Sequence, residues 1–208
     1  DVHEVTPAER AEMEKAPFDP ERYKKNIGVT AVSGEAGYTT RERATIRPAL
    51  DVNGIWGGYT GEGAKTILPS EAHAKISMRL VPGQNPEKVS QMFAEYFKSL
   101  APEGVTVEIA PSHGAFPFVT PITDRAYRAA SLALEKVYGR PAIPVRGGCS
   151  IGVVPMFEKF LGKKTILLGF GLDTDAIHSP NENYSLAQFF RGIETIPYFY
   201  EFFARQEE

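Results

Sequence analysis

Apolar and polar residues alternate most regularly in EAHAKISMRLV, where Ala72, Ala74, Ile76, Met78 and Leu80 fall between His73, Lys75, Ser77 and Arg79. A period of two predicts a strand buried on one face. The stretch ALDVNGIWGGYT and the segment from Ile27 to Val32 are rich in β-branched and aromatic residues punctuated by glycine, and both read as strands. VTVEIAPS reads as another. Between them, Asn85 and Pro86 open a helix whose Val89, Met92, Phe93, Tyr96, Phe97 and Leu100 recur on one side. At the start of the chain Thr6-Pro7-Ala8-Glu9 has the form of a capping box, which predicts a short helix ending by Pro17. Strands interleaved with one well-formed helix suggest an α+β layer in which the helix covers an antiparallel sheet.

Near AFPFVTP the character changes. A helix from about Ile122 to Val137 closes at Gly139, and after it come a short strand AIPV, the glycine turn RGGCS and a helix through VVPMFEKFLG. The continuous apolar run TILLGFG reads as a buried strand, and Ser185-Leu186-Ala187-Gln188 as a second capping box opening a helix rich in aromatics. This alternation predicts part of a mainly parallel α/β layer, so the expected fold joins an α+β domain over residues 1–115 to an α/β domain over 116–208. Two strands make a poor parallel sheet, which points to further strands from residues outside this chain.

A content of 42% hydrophobic and 24% charged residues is that of a globular protein, and a net charge of −3 without a basic stripe argues against nucleic-acid binding. The single cysteine, Cys149, rules out an intrachain disulfide and fits a reducing compartment, so the cytoplasm is the expected location. No apolar run approaches the roughly 20 residues needed to span a bilayer, and DVHEVTPAER carries no export signal, so no membrane partner is expected. The chain does not begin with Met, as a processed protein or a fragment would not.

Of the histidines His3, His73, His113 and His178, only His178 sits where a site is expected, in the loop LDTDAIHSPNE directly after the strand-like TILLGFG. One imidazole is not a metal site. Zinc needs three or four ligands, and no H-x-x-x-H or C-x-x-C spacing occurs.

The segments ALDVNGIWGGYTGEGAKTILPSEAHAKISMRLVPGQ, GGCSIGVV and GFGLDTDAIHSPNENYSLAQFFRGIET resemble, in order and spacing, the metallopeptidase family of carnosine dipeptidases, acetylornithine deacetylase and succinyl-diaminopimelate desuccinylase. The resemblance covers essentially the whole chain, with GAKT and RLVP closest to the dipeptidase branch. It implies a subunit of two domains, a catalytic domain with two divalent metals and an inserted α+β lid that forms a homodimer. On that resemblance residues 1–115 are the end of the lid and 116–208 the end of the catalytic domain. The implied activity is hydrolysis of amide bonds in dipeptides or N-acylated amino acids, with a small peptide or N-acyl amino acid as substrate.

Carried over residue by residue, the resemblance makes His178 a metal ligand, with zinc foremost and manganese or cobalt also suited to imidazole. Arg79 matches an arginine that holds the substrate carboxylate, a task for a planar forked donor. Thr66, in GAKT, matches a hydroxyl that reaches the substrate across the dimer. Gly148, Cys149 and Ser150 match a glycine turn that grips the carboxylate. Here the chain departs from the family, which has Glu-Gly-Gly-Ser-Ile-Pro where this sequence has Gly147-Gly148-Cys149-Ser150-Ile151-Gly152. The family's H-x-D ligands, bridging aspartate, catalytic Glu-Glu pair, further acidic ligand and D-L-H-S-G segment have no counterpart, and Glu4, Glu9 and Glu12 take none of those roles. The expected chain therefore holds no catalytic residue of its own and is inactive alone. The alternative is a dimerisation or peptide-binding module that works without catalysis.

Overall fold

The structure is a computed structural model, and it describes residues 2–148 and 151–206. Thr6 caps α1 (Pro7–Glu14): its hydroxyl accepts the Glu9 N–H at 3.2 Å while the Glu9 carboxylate accepts the Thr6 N–H at 3.0 Å, the reciprocal pair expected there. The stretch from Ile27 to Val32 is not a strand. Asp19 accepts from the N–H groups of Glu21 and Arg22 to start α2 (Pro20–Ile27), and Gly28 at φ 72 closes it, so local start and stop signals override the β-branched content. A further T-x-x-E box, Thr39 with Glu42, opens α3 (Thr40–Thr45). Arg41 on α3 donates to the carbonyls of Ala16 and Pro17, both at 2.5 Å, and so satisfies the chain leaving α1.

Strands β1 (Ala49–Gly57) and β2 (Ala72–Arg79) form an antiparallel pair running from Ala49 opposite Arg79 to Gly57 opposite Ala72. The register slips between Val52 and Gly54. That bulge has a purpose legible in the side chains. It inserts one residue, so Leu50, Val52 and Ile55 all face Met78, Ile76 and Ala74, although Val52 and Ile55 stand an odd number of positions apart. On the other face Trp56 stacks on His73 at 5.1 Å and 13°. Helix α4 (Pro86–Ser99), capped by Asn85, brings Val89, Met92, Phe93 and Tyr96 to line an open hollow with Met78. The antiparallel strands and their helix are as expected, but the helix does not cover the sheet, whose Leu50, Val52 and Ile55 remain exposed. VTVEIAPS, however, joins no ladder.

Asp124, not Ile122, begins α5 (Arg125–Tyr138), and Gly139 at φ 70 ends it. Then come α6 (Val154–Leu161), closed by Gly162, and α7 (Leu186–Arg205). Helices α5 and α7 are antiparallel neighbours: Arg125 donates to the Phe203 carbonyl at 2.6 Å at one end, and the Tyr138 hydroxyl to Gln188 at 2.6 Å at the other. Small residues are fully buried on the two helices, Ala129 and Ala133 on α5 and Thr195 on α7, while Gly192 on α7 faces the ring of Phe170, outside the pair. The second capping box does not form. Ser185 makes no side-chain cap, and the Gln188 side chain, which would complete the reciprocal arm, accepts from Tyr138 instead.

The parallel sheet expected after residue 116 is also absent among the described residues, where the sheet has two strands, β1 and β2. AIPV and TILLGFG lack a hydrogen-bonded neighbour, and an extended segment without a ladder is not a strand. One side-chain bond crosses this region, from the Thr120 hydroxyl to the Thr165 carbonyl. Large apolar side chains remain open on this half, including Phe160 at 70%, Phe190 at 64% and Tyr200 at 65% exposure.

Candidate functional site

Arg79 ends β2 on its polar face, and its Nη1 donates to the Gly148 carbonyl at 3.3 Å, 69 residues away. Two of the residues singled out from sequence are therefore neighbours. Gly148 is held from its other side by α3. A Cβ there would lie 2.0 Å from the Ala44 carbonyl oxygen, so only glycine lets the turn approach the helix backbone so closely. Two residues before it, Arg146 donates through Nη2 to Glu9 Oε1 at 2.5 Å. Glu9 is the capping-box residue of α1, and its carboxyl lies below the usual range, held there first by the Thr6 N–H and then by Arg146. The following residue, Arg10, pairs with Glu42 at 2.8 Å. Burial pushes the Glu42 carboxyl up, and the Thr39 N–H and hydroxyl with Arg10 more than offset it, leaving it lowered. Cys149 and Ser150, the rest of the expected turn, lie outside the described residues.

A second polar knot lies beside this one. Arg47 sits 4.4 Å over the Tyr38 ring and pairs with Glu4 at 2.9 Å and Glu35 at 2.7 Å, while the Tyr38 hydroxyl donates to Glu4 at 3.0 Å. The hydrogen bond to Glu35 raises the Arg47 pKa and lowers that of Glu35.

His178 is exposed, at φ 60, in a loop where Ala176 and Asn181 also take positive φ. Asp175 organises this loop. It is 2% exposed, its Oδ2 accepts the Leu172 N–H at 2.8 Å, and its carbonyl accepts the Asn183 N–H at 2.9 Å. A shallow hollow of about 560 Å³ is lined by Phe170, Asp175, Ile177, Glu182 and Tyr184 among others; His178 is not in its walls. Among the described residues no group of three or more His, Cys, Asp or Glu side chains could hold a metal ion. The donor set present fits one ligand of a shared site and not a site by itself.

Thr66 is exposed in the loop joining β1 to β2, whereas Arg79 closes the opposite end of that hairpin. The strand between them is about 23 Å long at 3.3 Å per residue. Two of the other histidines have local contacts: His73 stacks on Trp56, and His3 lies against Gly83. Sequence reading passed over Glu9, Arg146 and Asp175. Glu9 was visible as a capping residue but its second partner is 137 residues away, and Asp175 looked like any acid in a polar loop.

The comparisons with known proteins bear on this arrangement. Residues 10–105 match the family profile described as "Peptidase dimerisation domain". The Cys-Gly metallodipeptidase of Schizosaccharomyces pombe is 30% identical over 197 residues, covering 93% of this chain and 41% of the relative. The chain is homologous to the M20 metallodipeptidases. The human Beta-Ala-His dipeptidase is 27% identical over 156 residues, 74% of this chain and 31% of that protein. The solved structure of the di-peptidase Dug1p from Saccharomyces cerevisiae superposes with a TM-score of 0.80 at 25% identity, over 100% of this chain and 44% of that one. The chain thus spans well under half the length of the relatives it matches. No helix among its described residues is long and apolar enough to cross a membrane.

Proposed function

We propose that this chain contributes the substrate-carboxylate grip and one metal-ligating imidazole to a metal-dependent hydrolase of dipeptides or N-acylated amino acids, working as a homodimer in the cytoplasm. The observation that carries the reading is the Arg79–Gly148 contact. It brings a forked cation and the backbone of a glycine turn to one place, as recognition of a small carboxylate requires. His178 would hold one ion of a metal pair, zinc foremost, with the remaining ligands and the general base supplied by residues outside this chain. When bound, such a pair polarises the amide carbonyl as a Lewis acid. The work of this chain's own residues is to fix the C-terminal end of the substrate so that the amide is presented in register. Thr66 and Arg79 stand at opposite ends of one hairpin, which favours a site to which Thr66 comes from the partner copy.

The test compares a dipeptide with its C-terminally amidated analogue in the full-length protein. Arg79→Ala removes a charge-assisted pair worth about 1.5–3 kcal/mol, or roughly ten- to a hundredfold in kcat/KM, and the loss is expected on the free acid alone. Equal loss on both substrates would remove Arg79 from the carboxylate. His178→Ala is expected to lower metal content and abolish turnover, and full metal occupancy in that variant would overturn its assignment.

A module that dimerises or binds peptide without catalysis is favoured by one observation, the match of residues 10–105 to a dimerisation domain. Metal calorimetry on this chain tests what the two readings share. Tight stoichiometric binding lost in His178→Ala would contradict both, since each leaves the chain without a complete site.

A further inference from the structure

The glycine turn does not stand on its own backbone. Glu9 divides its carboxylate between two tasks: Oε2 accepts the Thr6 N–H and hydroxyl, each at 3.0 Å, and Oε1 accepts Arg146 at 2.5 Å. Its neighbour Arg10 reaches the other side of the turn indirectly, through Glu42 on α3, whose Ala44 carbonyl abuts Gly148. Adjacent residues of one helix thus reach Arg146 directly and Gly148 through α3. Arg79, coming from the hairpin, closes the third side.

We infer that α1 is a bracket for the glycine turn and that Glu9 is a positioning residue for recognition of the substrate carboxylate. This rests on the function proposed above. A shift of the turn on the order of 1 Å moves every group aimed at the carboxylate, and misplacement on that scale costs up to roughly a hundredfold. Without the Glu9–Arg146 pair, the turn keeps its covalent geometry but loses one of its anchors.

The discriminating variants are Glu9→Gln, Arg146→Gln and Arg146→Lys in the full-length protein. Glutamine keeps the capping box but has one acceptor oxygen, so it serves Thr6 or Arg146 and not both. The bracket predicts that Glu9→Gln and Arg146→Gln raise KM for cysteinylglycine about tenfold with kcat nearly unchanged and leave KM for cysteinylglycinamide unaltered. Arg146→Lys, which keeps the charge, should recover part of the KM. Arg79→Ala is the reference. If it discriminates acid from amide and the Glu9 and Arg146 variants do not, the bracket is wrong and the proposed function stands. If none of the variants discriminates, both fall.

Discussion

The α5–α7 pair and the bracket around the glycine turn are both close approaches of backbone, and they are secured by opposite means. In the helix pair, the buried small residues Ala129, Ala133 and Thr195 let the axes come near, with hydrogen bonds at the two ends and the Lys136 ammonium over the Tyr198 ring between them. In the bracket, the backbone of Gly148 meets the end of α3, and the elements are held by ion pairs from Glu9 to Arg146 and Arg10 to Glu42. Apolar packing tolerates small adjustments of many atoms, whereas a turn fixed by few directional contacts has one arrangement or none. The first suits a scaffold, and the second suits a place where a ligand must be met in a set geometry.

The sharpest way to break this contrast is to add one methyl group at a glycine of each region. Gly148→Ala drives a Cβ to within 2.0 Å of a helix carbonyl that cannot rotate away, and should cost roughly 3 kcal/mol in denaturant unfolding. Gly192→Ala meets the Phe170 ring at 3.1 Å, and the ring can shift while alanine regains helix propensity, so the net change should stay within about 1 kcal/mol. A larger insertion is needed to disturb the helix pair. Ala133→Leu, at a fully buried position, should cost about 2 kcal/mol by overpacking and leave the Glu9–Arg146 pair intact.

The third comparison sets two N-caps side by side. Thr6 caps α1 and Ser185 does not cap α7 through its side chain. Thr6→Ala should lower the unfolding free energy by about 1 kcal/mol. Ser185→Ala should change it by less than about 0.5 kcal/mol, because no hydrogen bond is lost. Equal losses would show that the Ser185 hydroxyl caps in solution.

These pairs also mark what the sequence disclosed. Local signals were read correctly at Thr6, Asn85 and Gly139, but the equally local start and stop of α2 at Asp19 and Gly28 and the Thr39–Glu42 box of α3 were passed over. The hairpin was legible from alternation, and the bulge that rescues its apolar face was not. Two readings failed for a common reason. TILLGFG carries the composition of a strand, but strand character is completed by a neighbour. Ser185 and Gln188 carry the pattern of a capping box, but Gln188 is taken by Tyr138. The candidate site divides the same way. Arg79, Gly148 and His178 were reached through a family resemblance carried by short motifs. Glu9 and Arg146 were not, because pairing across 137 residues leaves no mark on either neighbourhood.

The loop that carries His178 holds Ala176, His178 and Asn181 in a backbone region where an L side chain costs on the order of 1 kcal/mol, asparagine less so. Glycine would fold there with less strain. His178→Gly should consequently leave the protein as stable as before, or slightly more so, by thermal unfolding. The imidazole would then be a group kept against the interest of the fold, a trade of stability for function written in a single dihedral angle. A variant that gains stability as it loses activity is evidence of a different kind from one that loses both, since its defect has no route through misfolding.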